Sequence, residues 1–234
     1  MTKISANLEA VRARIAEALR RADRAPEAVS LLAVSKTWAA DALREAAASG
    51  QQDFGENYVQ EALAKQEALS DLDLVWHFIG PLQSNKYRPI AQHFLWVHGI
   101  DRQKIAERLS VARGEMGAGV PPLQVCLQVN VSGEESKSGV APEAVFDLAR
   151  AVARLPHLRL RGLMAIPEPT PNTDLLRSRF ALVRRLREQL NAEGYSLDTL
   201  SMGMSADLEV AIQEGATLVR VGSAIFGNRV RSAA

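Results

Sequence analysis

Residues 29–36 read VSLLAVSK, a short apolar run bounded by polar residues. The pattern predicts a strand buried on both faces. Upstream, Ile4, Leu8, Val11, Ile15 and Leu19 recur at helical spacing, and Pro26 follows them. Downstream, residues 39–49 predict a helix with Gly50 placed to cap its C-terminus. The same alternation then repeats to the end of the chain. Strand-like runs lie at 53–57, 75–80, 94–100, 124–130, 158–167, 199–204 and 217–226. Helical segments lie between most of them, at 58–69, 84–93, 101–112, 142–154, 174–191 and 206–214. Alternating strands and helices imply a parallel sheet. Eight such repeats in about 200 residues are the count of a closed (β/α)8 TIM barrel, here with an additional N-terminal helix. An open doubly wound sheet is the alternative, but no Gly-rich dinucleotide fingerprint opens the chain. No low-complexity stretch or long Ser/Gly linker divides the sequence, so residues 1–234 are expected to form one domain.

Composition narrows the function. The 234 residues are 47% hydrophobic and 24% charged, values of an ordinary globular chain that argue against intrinsic disorder. Lys+Arg numbers 28 against 27 Asp+Glu, so the basic surplus that general nucleic-acid binding needs is missing. The one cysteine, Cys126, excludes an intrachain disulfide framework and a multi-cysteine metal site. The four histidines, His77, His93, His98 and His157, show no metal-ligand spacing, so no metal is expected. No apolar run reaches the roughly 20 residues of a membrane span. The N-terminus lacks a signal-peptide core. Its Arg-rich amphipathic character faintly suggests a transit peptide, against which Glu9, Glu17 and Asp23 argue. The expectation is a cytoplasmic protein without membrane partners. The outer helices show no obvious large apolar patch, so a monomer is expected.

In a barrel of this kind the chemistry sits at the C-terminal ends of the strands. Lys36 ends the first strand, on the face of Leu32 and Val34. It is either a rim lysine with a solvated head or an amine that desolvation activates toward a carbonyl. Arg220 lies between Val219 and Val221, where both faces of a barrel strand are covered. A guanidinium there needs a partner, either a carboxylate inside the barrel or a ligand. Gly222 and Ser223 end the same strand, and Ser201 and Gly203 lie in the neighbouring one. Loops after the seventh and eighth strands often build phosphate sites in this architecture, with backbone N–H groups and hydroxyls as donors. Ser205 reads as a cap for the following helix, with Asp207 and Glu209 in its first turn. Asn57 ends the second strand, to hold a ligand or cap the next helix, and His77 reads as a satisfied core histidine. Lys137, in the charged loop SGEESKSG at 132–139, reads as a solvated charge, and the arginines of LRLRG at 158–162 as structural.

These residues sit in longer motifs: AVSK at 33–36, FGENYVQE at 54–61, WHFIGPLQSNK at 76–86, SKSG at 136–139, RGLMAIP at 161–167, LSMGMSADLE at 200–209 and VRVGSAIFG at 219–227. Together they resemble the pyridoxal phosphate homeostasis proteins, also called proline synthetase co-transcribed homologues, over nearly the whole chain. The resemblance implies a barrel similar to the N-terminal domain of alanine racemase. It also implies that pyridoxal 5′-phosphate (PLP) is held as a Schiff base on Lys36. By the same resemblance Ser201, Gly222 and Ser223 hold the phosphate, Arg220 donates to the pyridine nitrogen and Asn57 lies near the ring. One departure is Trp38, where many relatives are more basic or carry proline.

The function so implied is a carrier of PLP that serves intracellular cofactor homeostasis and amino-acid/keto-acid balance without an established catalytic reaction. Its partners would be PLP, free amino acids and, transiently, apo PLP enzymes. Arginine donates but cannot take the ring proton, which leaves the pyridine a poor electron sink. The alternative is a PLP-dependent amino-acid racemase, which needs acid–base groups on both faces of its substrate. In the racemase fold one of them comes from a further domain, not evident in this sequence, and Tyr58, Tyr87 and Tyr195 fall at no expected strand end. A third reading is a sugar-phosphate barrel in which Lys36 is an aldolase-type amine.

Overall fold

The computed structural model describes residues 2–83, 85–133 and 138–227. Lys137 therefore lies outside the described residues. The first helix, α1 (Lys3–Arg21), starts at Thr2, whose side chain accepts a hydrogen bond from the Ser5 N–H. Arg20 and Arg21 complement the dipole in its last turn. Leu8, Val11, Ile15, Ala18 and Leu19 form its buried stripe, so the sequence periodicity decides which face it turns inward.

Eight parallel strands follow: β1 (Ser30–Val34), β2 (Asp53–Glu56), β3 (Val75–Phe78), β4 (Trp96–Ile100), β5 (Leu123–Gln128), β6 (Leu158–Met164), β7 (Thr199–Ser201) and β8 (Leu218–Val221). They close in sequence order, with β8 pairing back onto β1. The chain is a TIM barrel. The alternating helices are α2 (Ala40–Ala48), α3 (Val59–Ala68), α4 (Tyr87–His93), α5 (Gln103–Gly114), α6 (Val145–Ala153) behind a short 3-10 turn, α7 (Thr173–Ala192) and α8 (Leu208–Gln213). The last, α9 (Ser223–Phe226), corrects the sequence expectation of a strand running to residue 226: β8 stops at Val221. Apolar residues alone do not distinguish a buried strand end from a short buried helix. Here Ile225 and Phe226 are buried as part of a helical turn.

Register then sets the height of each strand end. Leu32 pairs with Arg220 and Ala33 with Val221, while Val34 pairs with Gly55. Lys36 thus stands two residues above the end of β1, Asn57 one above β2, and Gly222 one above β8. All three rise at the same mouth of the barrel, because parallel strands end on the same side. The β4–β5 register shifts between Val97 and Ile100, the stretch that carries His98.

Candidate functional site

The C-terminal mouth holds a cavity of about 540 Å³, within the usual range for small-molecule sites. Val34, Trp38, Ile79, Ile166 and Met204 supply apolar wall, and Trp38 is stacked on Phe226 with ring centroids 5.8 Å apart. The polar lining comes from Lys36, Asn57, Ser205, Arg220 and Ser223, with Gly222 beside them.

Lys36 lies in a tightly held loop after β1. Ser35, fully buried, donates through its hydroxyl to Glu56 Oε1 (2.6 Å), and its carbonyl accepts from Lys65 Nζ (2.8 Å). Lys65 is itself buried and also reaches Glu56 Oε1 at 2.7 Å and Glu61 Oε1 at 2.5 Å. Glu61 Oε1 in turn accepts the N–H of Thr37 (2.5 Å), which adopts the left-handed backbone at φ 70°. That conformation is unusual for a β-branched residue, and the Glu61 contact sits on it directly. The residues on both sides of Lys36 are therefore pinned by one buried charge cluster. Burial pushes the Glu56 carboxyl above the ordinary range, against the opposing pull of Lys65.

Asn57 is held by close packing. A Cβ at Gly80 would come within 2.4 Å of the Asn57 carbonyl oxygen, so only glycine lets the β3 end pass this backbone. Asn57 Oδ1 is buried and has no hydrogen-bond partner among the described residues. Opposite in sequence, Gly203 (φ +94) turns the chain out of β7; a Cβ there would meet that of Ala211 at 2.6 Å. The turn delivers Met204 and Ser205 to the cavity wall, and Ser205 Oγ accepts from Ser223 Oγ at 3.2 Å.

Arg220 forms the floor. Its Nη1 donates to the carbonyl (2.5 Å) and the hydroxyl (2.7 Å) of Ser201, and its Nη2 donates to the Ala165 carbonyl (2.9 Å). Burial lowers its pKa to about 10, against the nearby Asp207, so it stays a cation at neutral pH. None of these hydrogen bonds goes to a carboxylate, so the described residues hold the guanidinium on oxygen dipoles and not in an ion pair. Ser201 Oγ also lies 2.8 Å from His98 Nδ1, His98 Nε2 lies 3.0 Å from His77 Nδ1, and His77 Nε2 donates to Asp53 Oδ1 at 2.9 Å.

The sequence model of the family described as "Alanine racemase, N-terminal domain" matches residues 6–230. The pyridoxal phosphate homeostasis protein of Pseudomonas aeruginosa is 62% identical over 98% of this chain and 97% of its own. The protein of the same name in Escherichia coli K12 is 50% identical, with 98% of each chain covered. The chain belongs to the pyridoxal phosphate homeostasis protein family. Among solved structures, PipY of Synechococcus elongatus PCC7942 with PLP bound is 41% identical, with a TM-score of 0.80 over 91% of this chain and 100% of that one.

Within this family frame, Lys36, Asn57, Arg220, Gly222 and Ser223 all come to the one cavity. Ser201 does not. It is fully buried and engaged with Arg220 and His98, one layer beneath the wall. The reason is the length of β7, which ends at Ser201 while its side chain still points into the lumen. The residue at the wall is Ser205, whose position in the sequence reads as that of a helix cap. Asp207 occupies that cap position instead, and its Oδ1 accepts the Met204 N–H at 2.5 Å. Glu209 is in the first turn of α8, paired with Arg14 at 2.8 Å. His77 is a satisfied interior histidine, and Arg161 of the LRLRG run pairs with Asp198 at 2.6 Å. Sequence reasoning missed the Lys65 cluster. Glu61 and Lys65 have the i, i+4 spacing of a solvated helix pair, and nothing local shows that α3 turns them inward.

The polar lining suits a phosphorylated pyridine aldehyde: an amine, a hydroxyl pair, a fixed cation and a buried amide oxygen without a partner among the described residues.

Proposed function

We propose that the chain binds PLP reversibly through Lys36 in the C-terminal cavity and serves as an intracellular reservoir of it. The observation that carries this reading is the convergence of Lys36, Asn57, Arg220, Gly222 and the Ser205–Ser223 hydroxyl pair on one cavity. When bound, PLP supplies an aldehyde that condenses reversibly with amines. Lys36 is the amine the lining offers, and the Lys65 cluster fixes the backbone from which it projects. Ser205 and Ser223 offer hydroxyls to the phosphate. The N–H groups of Ser223 and Ala224 lie beside them at the start of α9, whereas those of Ile225 and Phe226 are taken by the Gly222 carbonyl. Trp38, Ile79, Ile166 and Met204 supply the apolar wall that would border the ring.

Arg220 would meet the ring nitrogen as a donor. Because a guanidinium gives no vacant acceptor for a proton, Arg220 keeps that nitrogen unprotonated, which weakens carbanion stabilisation and favours holding over turnover. A racemase needs two acid–base groups. Among the described lining residues, Lys36 is the one amine, and no Asp, Glu, His, Cys or Tyr side chain lines the cavity beside it. Release to a recipient requires that another amine, on a free amino acid or an apo PLP enzyme, displace Lys36. No helix among the described residues is long and apolar enough to cross a membrane. We propose that the protein is a cytoplasmic monomer. Borohydride reduction of the PLP-treated protein followed by peptide mapping tests the reading. The label is expected on Lys36 and absent in Lys36→Ala; a label on another lysine, or none, refutes it.

A further inference from the structure

The lumen of an eight-stranded barrel is ordinarily filled with layers of branched aliphatic side chains. Here a polar line crosses it: Arg220 on β8, Ser201 on β7, His98 on β4, His77 on β3 and Asp53 at the start of β2. β4 and β7 are not neighbours in the sheet, so the His98–Ser201 contact spans the interior. The register shift between Val97 and Ile100 falls on the strand segment that carries His98, and such irregularities re-aim side chains. His77, His98 and Ser201 are almost fully buried, whereas Asp53 has 38% of its side chain exposed at the far end. Polar groups this deep are costly unless every one is satisfied.

Donor and acceptor chemistry gives the line a direction. Arginine only donates and a carboxylate only accepts. Burial lowers the pKa of His77 and, more strongly, that of His98, so both rings are neutral at pH 7. The charged groups facing them are Asp53 toward His77 and Arg220 toward His98; Asp207 and Cys126 lie beyond Arg220. Trp96 stacks on His77 at 5.4 Å and carries Arg161 on its ring at 4.8 Å. From the Asp53 end, His77 Nε2 must carry the proton, which leaves Nδ1 to accept. His98 Nε2 must then donate, which leaves its Nδ1 to accept the Ser201 hydroxyl proton. Ser201 Oγ is left as an acceptor for Arg220 Nη1. Starting from Arg220 gives the same order.

We propose that His98, supported by His77 and Asp53, is a positioning residue for Arg220: held as the Nε2–H tautomer, it draws the Ser201 hydroxyl proton away from the guanidinium. Nη1 is then committed to the two Ser201 oxygens and Nη2 to Ala165, and the donors that remain are the ones offered to the cavity. Without an acceptor at His98, the Ser201 proton is free to turn against the Arg220 N–H and the fork loses its fixed aim. The functional part of the inference rests on Arg220 meeting the ring nitrogen of PLP.

Two measurements test it. Long-range proton–nitrogen correlation spectra of the nitrogen-15-labelled protein without PLP, at pH 7.5, should show His77 and His98 each protonated at Nε2 and bare at Nδ1. A Nδ1–H tautomer or an imidazolium on either ring overturns the proposal. PLP titration of folded Ser201→Ala and His98→Leu should show affinity about tenfold weaker, the order of one misaligned charged hydrogen bond, with a shifted visible band. His98→Gln, which keeps a donor and an acceptor, should lose less. Wild-type affinity and spectrum in either Ser201→Ala or folded His98→Leu overturns the positioning role. Should His98→Leu not fold, Ser201→Ala decides, because it removes one hydroxyl only. Failure of the wild type to take up PLP would refute the proposed function, whereas the tautomer spectra would still decide the direction of the line.

Discussion

Replacing Lys65 with methionine isolates the cluster beneath Lys36. The substitution keeps the length and apolar stem of the side chain and removes only the ammonium. In the folded protein that ammonium joins Glu56 Oε1, Glu61 Oε1 and the Ser35 carbonyl. Glu56 is fully buried and its Oε2 has no hydrogen-bond partner among the described residues, so after the substitution only Ser35 would help to hold its charge. Removing one partner of a buried ion pair costs about 3–5 kcal/mol. For a domain of this size each kcal/mol moves the melting temperature by about 2–4 °C. Lys65→Met is therefore expected to melt roughly 10 °C below wild type at pH 7.5. The pH dependence carries a sign. Burial already raises the Glu56 pKa, and Lys65 opposes that rise. The variant raises it further, and a group with a raised folded pKa contributes stability at low pH that is lost as pH rises through that pKa. The deficit of Lys65→Met should therefore shrink from pH 7.5 to pH 5, as Glu56 takes up a proton. Differential scanning calorimetry at the two pH values reads both effects. A variant melting within about 2 °C of wild type at pH 7.5, or a deficit that grows on acidification, refutes the reasoning. Adding Glu56→Leu to Lys65→Met should recover part of the loss, because a buried pair is often replaceable by apolar groups.

The remaining expectations are brief. Arg220→Glu should allow the pyridine nitrogen of bound PLP to protonate and should raise the slow transamination rate with amino acids; an unchanged rate in a variant that still binds PLP contradicts the account of low turnover. Gly80→Ala forces a methyl within 2.4 Å of the Asn57 carbonyl oxygen. It should destabilise the protein by about 1–3 kcal/mol in urea titration and weaken PLP binding, whereas wild-type behaviour in both assays would show that the approach of β3 to Asn57 is not a constraint.

The barrel was legible because its signals are local. Apolar runs such as 29–36 mark strands, the α1 stripe marks a helix face, and short connections force their order. Parallel closure then places every strand end at one mouth, so Lys36, Asn57, Arg220, Gly222 and Ser223 were nameable from position and motif alone. The exchange of Ser201 for Ser205 at the cavity wall turned on where β7 ends, and strand ends are weakly marked in a buried apolar segment. The Lys65 cluster was invisible because an i, i+4 Glu–Lys pair reads the same whether its helix turns it to water or to the core.

The sequence by itself determined the order of elements and the chemical groups carried at their ends, since both follow from periodicity within a few neighbouring residues. The tertiary structure alone decided that Arg220 rests on carbonyl and hydroxyl oxygens, and that a polar line reaches it from Asp53. His98 and Ser201 are 103 residues apart in the chain and meet only because the sheet closes, so no local pattern records their contact.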